Sequence, residues 1–243
     1  MTLTARPWLI TVLFGLLALS PAHAGMTPQE VEVFKDAKAW AEKGEAEGQL
    51  NLGICYTKGE GVAKDDVEAV AWFRKAADQG FAPAQTLLGN CYFGGEGVPK
   101  DQALAVTWYR KAAEKGLAEA QYVLGSRYAD GKGVEKDFVQ AAKWYRKASE
   151  QGYVLAQYYL GDCYANGEGV AKDLIEAYAY WNQGTVEYSR RKLAALEKQM
   201  TAEQIAAGKK RTKELKRELE DKIYENALQK EFAARIAEKP DRK

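Results

Sequence analysis

AEAQYVLGSRYADGKGVEKDFVQAAKWYRKASEQGY, residues 118–153, is the stretch whose reading decides the fold. Leu117, Ala120, Leu124 and Tyr128 fall at helical spacing and predict a first helix, A, of roughly three turns. It ends at Gly131-Lys132-Gly133, where glycine permits a positive φ. Asp137 is then placed to cap a second helix, B, with Gln140 three residues on as its capping partner. Helix B carries Ala141, Trp144, Tyr145 and Ala148, and stops at Gly152, a glycine just past the helix end. Residues 118–153 therefore read as a helical hairpin.

The hairpin is one of four. Leu-Gly recurs at Leu52-Gly53, Leu88-Gly89, Leu124-Gly125 and Leu160-Gly161, always 36 residues apart. Fixed self-similarity at such a period marks a stacked array. Each unit of an array buries its apolar face only against its neighbours, so the product is an elongated solenoid with a broad surface rather than one deep pocket. That points to binding before chemistry. The units are residues 46–81, 82–117, 118–153 and 154–186. Their B helices begin at Asp65 with Glu68, at Asp101 without an acidic or amide partner, at Asp137 with Gln140, and at Asp173 with Glu176. Gly44, Gly80 and Gly116 repeat the terminator. Gly53, Gly89, Gly125 and Gly161 sit mid-helix at a cost of about 1 kcal/mol each relative to alanine. Close helix approach is the expected compensation, with Trp72, Trp108, Trp144 and Tyr180 packed over the glycines.

The pattern A-Q-x-x-L-G-x-x-Y-x-x-G-x-G-V-x-K-D-x-x-x-A-x-x-W-(F/Y)-R-K-A-A-x-x-G runs almost unbroken from Ala84-Gln85 to Gly116 and from Ala120-Gln121 to Gly152. It resembles the Sel-1-like repeat family, a relative of the tetratricopeptide repeats, over about residues 46–184. The resemblance implies an all-α fold: a right-handed α/α superhelical solenoid with the A helices on its concave face and capping helices at both ends. It also implies scaffold or adaptor roles in protein–protein interaction, often in exported bacterial proteins.

Outside the array, residues 1–24 read as a secretory signal peptide: Arg6 is the positive start, Trp8–Leu19 the apolar run, and cleavage follows Ala24. That run is too short to cross a bilayer, which takes about 20 residues, and no later segment offers a transmembrane anchor. The mature chain is expected to be periplasmic or secreted. Residues 25–45 form an N-terminal cap helix in which Thr27 is the N-cap, Pro28 the first helical residue and Glu30 the reciprocal partner. In the fourth unit Trp181-Asn182-Gln183-Gly184 replaces the usual Trp/Tyr-Arg-Lys-Ala ending, and Tyr188 stands where a glycine terminator is expected. Residues 187–243 form a basic helical extension: a helix from about 187 to 199, then one over 202–237 started by Thr201 with Gln204. Its apolar residues lie in two stripes, Leu215, Leu219 and Ile223, then Leu228, Phe232 and Ile236. This segment suits a cap with a solvated charged face, self-association through 202–237, or binding to an anionic lipid or polymer.

Composition narrows the function further. The only histidine is His23, inside the leader, so the mature chain has no imidazole for a nucleophile–base pair or a metal. Charge is uneven, with 18 Lys+Arg against 24 Asp+Glu over 25–189 and 16 against 10 over 190–243. Such asymmetry speaks to association. No cofactor, metal, catalytic residue or nucleic-acid partner is expected; a phosphate loop and a clustered Cys/His set are absent.

Residues that look chemical have structural accounts. Cys55, Cys91 and Cys163 share one position of helix A, which Arg127 takes in the third unit. Stacked helices are separated by about 8–10 Å, beyond the roughly 7 Å reach of a disulfide, so these are core thiols. The resemblance includes cysteine-rich members stapled within each hairpin. This chain lacks the second cysteine, and their β-lactam-related activity is not carried over. Glu60, Glu96 and Glu168, with Lys132 in the third unit, lie one per turn and read as solvated. What the repeat leaves free is one face of helix A: Leu50, Ile54, Thr57; Thr86, Asn90, Phe93; Tyr122, Ser126, Ala129; Tyr158, Asp162, Ala165. Asn90, Phe93, Tyr122, Arg127, Tyr158 and Asp162 are the candidate contacts for a protein or peptide partner, a mix of aromatic and arginine groups suited to interfaces. The function expected is an exported interaction scaffold and not an enzyme. The alternatives are a cell-envelope hydrolase, β-lactamase-like or wall-acting, and a structural oligomer assembled through the C-terminal helix.

Overall fold

The computed structural model describes residues 26–184 and 187–237, which form eleven α-helices and no strand. The leader reading of residues 1–24 and the side chains of Phe232 and Ile236 lie outside what is described. The helices are α1 (Pro28–Glu42), α2 (Ala46–Lys58), α3 (Asp66–Asp78), α4 (Ala82–Gly94), α5 (Gln102–Glu114), α6 (Ala118–Asp130), α7 (Phe138–Ser149), α8 (Val154–Asn166), α9 (Leu174–Gln183), α10 (Glu187–Glu197) and α11 (Ala202–Ala237). From α1 to α9 each helix packs on the next, alternating A and B, to build an α/α solenoid.

Local chemistry sets the boundaries. Thr27 and Glu30 close a reciprocal capping box on α1, with Glu30 N–H donating to Thr27 Oγ1 at 3.2 Å. Asp137 accepts the Gln140 N–H at 3.0 Å, and Asp65 and Asp173 each accept two backbone N–H groups of the first turn. These bonds satisfy donors that the helix itself leaves orphaned. Asp101, which has leucine at the partner position, still caps through its own carboxylate on Leu104 N–H at 2.9 Å. In the A-to-B turn, Gly131 closes α6 at φ 71° and donates to Arg127 O. Gly133, at φ 76°, lies where a Cβ would collide with the Gln102 carbonyl at the start of the preceding B helix. The turn therefore needs one glycine for conformation and a second for proximity.

The core is a row of small and aromatic residues shared between hairpins. Ala84, Leu88, Ala105, Ala112, Ala120 and Leu124 are fully buried, and Tyr109 nearly so. Each of the three seams between hairpins is also stitched by a hydrogen bond from a B-helix arginine to a tyrosine of the next A helix: Arg74 to Tyr92, Arg110 to Tyr128 at 2.8 Å and Arg146 to Tyr164 at 3.0 Å.

The rings over the mid-helix glycines are not those expected. Phe73, Tyr109, Tyr145 and Trp181 cover Gly53, Gly89, Gly125 and Gly161, where a Cβ would meet ring atoms at 2.5, 2.6, 2.8 and 2.5 Å. Trp72, Trp108 and Trp144, one residue earlier, are turned by one helical step of about 100° and carry lysines over their faces: Lys75 at 3.5 Å, Lys111 at 3.9 Å and Lys147 at 4.3 Å.

The C-terminal extension folds back on the array. α10 sits on the end of the last hairpin, and Thr201 and Gln204 cap the start of α11 as expected, with the Thr201 N–H donating to Gln204 Oε1 at 2.9 Å. α11 crosses α9, with Gly208 against Tyr178 and Arg211 paired to Glu176 at 2.8 Å. It continues over the end of α7, with Leu219 beside Gly152 and Lys222 paired to Glu150 at 3.1 Å. Past that point Ile223, Tyr224 and Leu228 are 54, 66 and 47% exposed.

Candidate functional site

α2, α4, α6 and α8 present the face that the repeat leaves unconstrained; five of the six candidate residues lie on it, Arg127 stands in the neighbouring row, and the six fall into three groups. Arg127 of α6 reaches back to α4 and lays its guanidinium 4.2 Å above the Phe93 ring, in the row where the other repeats carry cysteine. Its Nε is buried with no hydrogen-bond partner. Asn90, one turn before Phe93, is exposed and accepts the Tyr109 hydroxyl at 2.8 Å. Asn90, Phe93 and Arg127 thus form one polar and aromatic patch.

Tyr122 belongs to a second group. Its ring lies 5.2, 5.8 and 6.0 Å from those of Tyr153, Tyr159 and Tyr145, so four tyrosines from α6, α7 and α8 and the α7–α8 turn pack together. Burial, helped by Tyr159, pushes the Tyr122 hydroxyl up to about 12, and it stays protonated at neutral pH. Tyr122 meets its three neighbours at tilted angles, Tyr145 and Tyr159 stack at 5.6 Å, and Tyr145 is buried beneath the group.

Tyr158 and Asp162 are engaged within the chain. Lys192 of α10 donates to Asp162 at 2.6 Å and stands 4.8 Å over the Tyr158 ring; Trp181 Nε1 donates to the same carboxylate at 3.1 Å. Burial raises the Asp162 carboxyl above its ordinary value even though Lys192 and Trp181 pull it down. The last repeat's share of the A-helix face is therefore covered by α10, a contact across 30 residues of chain that no local pattern announces.

The residues missed from sequence lie at the other end. Between α2 and α4, over α3, is an open cavity of about 370 Å³ with Ile54, Leu87, Ala69 and Phe73 as its apolar wall and Asn90, Lys58, Asp66 and Glu96 among its polar lining. Ile54 occupies the position held by Asn90, Ser126 and Asp162 in the later repeats, and that polarity difference was the available signal. The A-helix face thus grades from an apolar cavity, through the Asn90–Phe93–Arg127 patch and the tyrosines, to a covered end.

Cys55, Cys91 and Cys163 are buried free thiols, and burial pushes Cys91 up to about 11 and Cys163 up to about 12. Glu60 pairs with Lys58 at 3.3 Å on the turn. Among the described residues no group of three His, Cys, Asp or Glu side chains is placed to hold a metal ion, and no helix is long and apolar enough to cross a membrane.

Comparison with known proteins agrees with this architecture. The Sel1 repeat model matches residues 46–81, 82–117, 118–153 and 154–184. A protective antigen of uropathogenic Escherichia coli displaying an SLR fold is 36% identical, with a TM-score of 0.71 over 81% of this chain and 43% of that one. A Sel1 repeat protein from Oxalobacter formigenes is 32% identical, with a TM-score of 0.65 over 69% of this chain and 50% of that one. The chain thus spans half or less of the length of these relatives. No curated protein gave a significant match. Sel1 repeat proteins generally mediate protein–protein interaction and are typically non-catalytic. With four consecutive matches over more than half its length, the chain belongs to the Sel1 repeat family.

Proposed function

We infer that this chain is an exported adaptor that captures an extended segment of a protein partner along its A-helix face. The observation that carries this reading is the 370 Å³ apolar cavity at Ile54, Leu87 and Phe73, continuous through Asn90 with the Arg127–Phe93 stack. An apolar pocket beside an aromatic–arginine pair is the composition of an interface centre, where a few buried side chains carry most of the affinity. A partner segment with an aliphatic or aromatic side chain for the cavity, and a carboxylate or backbone carbonyl for Arg127, fits this surface. The leader-like residues 1–24 support export.

A photo-crosslinking residue at position 93 is expected to capture a discrete partner in cells, while one at Lys143, exposed on B helix α7, captures none. Leu87→Asp is expected to weaken that partner at least about tenfold, the effect of 1.4 kcal/mol, measured at a temperature where the variant is still folded, because Leu87 is half-buried against the core and its loss also lowers Tm. Equal capture from both faces, or capture indifferent to Leu87→Asp, refutes the reading. Mass spectrometry of the purified protein tests export: a mature N-terminus at Gly25 supports it.

The exposure of Ile223, Tyr224 and Leu228 on α11 favours a second reading, self-association through the end of that helix. Light scattering on the full chain and on a form ending at residue 222 distinguishes them: a dimer lost on truncation supports the oligomer.

A further inference from the structure

The edge of the array that carries the B-to-A turns, opposite the end of the A helices where the cavity lies, has its own repeating device. Where α1 meets the first hairpin, the Gln79 carboxamide N–H₂ donates to Gly44 O and to Gln49 Oε1, both at 2.9 Å. Two units on, Gln151 donates to Gly116 O at 2.9 Å and to Gln121 Oε1 at 2.8 Å. In both seams one carboxamide bridges a terminator carbonyl and a buried glutamine of the next A helix.

The seam between the first and second hairpins has the same two acceptors, Gly80 O and Gln85 Oε1, but position 115 is lysine. Gln85 is only 3% exposed; its N–H₂ donates to Ala77 O, and its Oε1 has no partner. The Trp108 indole N–H on the same wall is also buried without one. Lys115 is exposed, with its ammonium beside Gly80, and lies at the mouth of a groove of about 410 Å³ that Gln85, Trp108, Lys111 and Glu114 help to line. At the seam between the third and fourth hairpins, the corresponding groove along Ser149, Glu150 and Tyr180 is closed by α11 through Leu215, Leu219 and Lys222. Three of the four seams are therefore filled by the chain itself, two by a carboxamide and one by a helix.

We propose that the seam at Gly80, Gln85 and Trp108 is a docking point for a glutamine side chain of a partner polypeptide. The incoming carboxamide N–H₂ donates to Gly80 O and Gln85 Oε1, as Gln79 and Gln151 do in their seams. Its oxygen accepts from the Trp108 indole N–H. Lys115 swings outward from an exposed position to admit it. A primary amide has the two donors and one acceptor that these groups require. A carboxylate has no donor for the two acceptors, and an ammonium has no acceptor for the indole. The buried orphan atoms make the fit selective, because a ligand that leaves them unpaired gives up the hydrogen bonds that offset desolvation.

The test uses the full chain labelled with ¹⁵N, with the Trp108 indole N–H resonance as reporter and blocked Ala-Gln-Ala and Ala-Glu-Ala as probes. The glutamine peptide is expected to shift that resonance saturably in roughly the millimolar range, as a single-side-chain contact should; the glutamate peptide is not. Lys115→Gln supplies the carboxamide from within, so it is expected to abolish the response and raise Tm by about 2–4 °C. Lys115→Ala leaves the seam open and is expected to bind the glutamine peptide at least as tightly as the natural chain. Equal responses to the two peptides, no response from the natural chain, or an undiminished response in Lys115→Gln overturns the proposal. None of these readouts involves the A-helix face, so failure here leaves the adaptor reading standing, and the converse holds.

Discussion

Gly161→Ala asks whether the mid-helix glycines exist for close packing. On helix propensity alone the change should stabilise α8 by about 1 kcal/mol. Against that, the new Cβ would stand 2.5 Å from Cδ1 and Nε1 of Trp181, more than half an ångström inside an ordinary contact. The ring is poorly placed to move away. Its Nε1 donates to both Tyr158 O and Asp162 Oδ1 at 3.1 Å, and Lys192 stands 5.4 Å from its centre. Forcing a methyl into a packed site costs typically about 1–3 kcal/mol, and a ring held by two hydrogen bonds belongs at the upper end. The net expectation is a loss of about 1–2 kcal/mol, or a fall in Tm of about 2–8 °C for a chain of this length, read by thermal and urea unfolding followed by circular dichroism. Gly125→Ala, facing Tyr145 at 2.8 Å, is expected to lose less. Trp181→Leu removes the clashing ring edge, so Gly161→Ala in that background should recover the propensity gain. A rise in Tm for Gly161→Ala in the natural chain would refute the reasoning, since the glycine would then be relieving nothing.

Two further outcomes follow from the buried charges and thiols. Lys192→Met leaves Asp162 half-enclosed with only the Trp181 N–H. The Lys192 and Asp162 side chains are 40 and 19% exposed, so the loss at pH 7 is expected at about 1–2 kcal/mol, below the 3–5 of a fully buried pair. The folded-state pKa of Asp162 is already raised, so folding favours its protonated form; that contribution is complete below the unfolded pKa and fades as pH rises through the folded one. Removing Lys192 raises it further, and the cost of the mutation should grow between pH 4 and pH 7; a cost independent of pH counts against the pairing. Cys91 and Cys163, raised by burial to about 11 and about 12, should react with a thiol reagent at pH 8 only as fast as the array opens, with labelling that accelerates through the urea transition; immediate reaction in the native protein would contradict their burial.

The hairpins, their capping aspartates, the glycine terminators and the start of α11 were all legible in the sequence because each rests on groups within a few residues of one another. Thr27 with Glu30, Asp137 with Gln140 and Thr201 with Gln204 are three-residue events, and the 36-residue period multiplies every local signal by four. The candidate face was legible as the part that varies. Its contents were not: Tyr158 and Asp162 proved to be covered by α10, and Ile54, on the free face but not among the candidate contacts, proved to line a cavity with Leu87, which the repeat pattern did not single out.

What the sequence by itself determined is therefore the unit and its number, since helix period, caps and positive-φ glycines are properties of short segments. The tertiary structure decided three things beyond that reach. It chose Phe73, Tyr109, Tyr145 and Trp181 over their tryptophan and tyrosine neighbours as the rings above the glycines, because one helical step turns a side chain by about 100° and only packing fixes the phase. It brought Lys192 to Asp162 and α11 onto the last hairpins across long stretches of chain, which no local preference encodes. It also gave meaning to Lys115, an unremarkable surface residue in the sequence. Only the reach of Gln79 to Gly44 and of Gln151 to Gly116, each across 35 residues, shows what that position does elsewhere and what the second seam leaves unpaired.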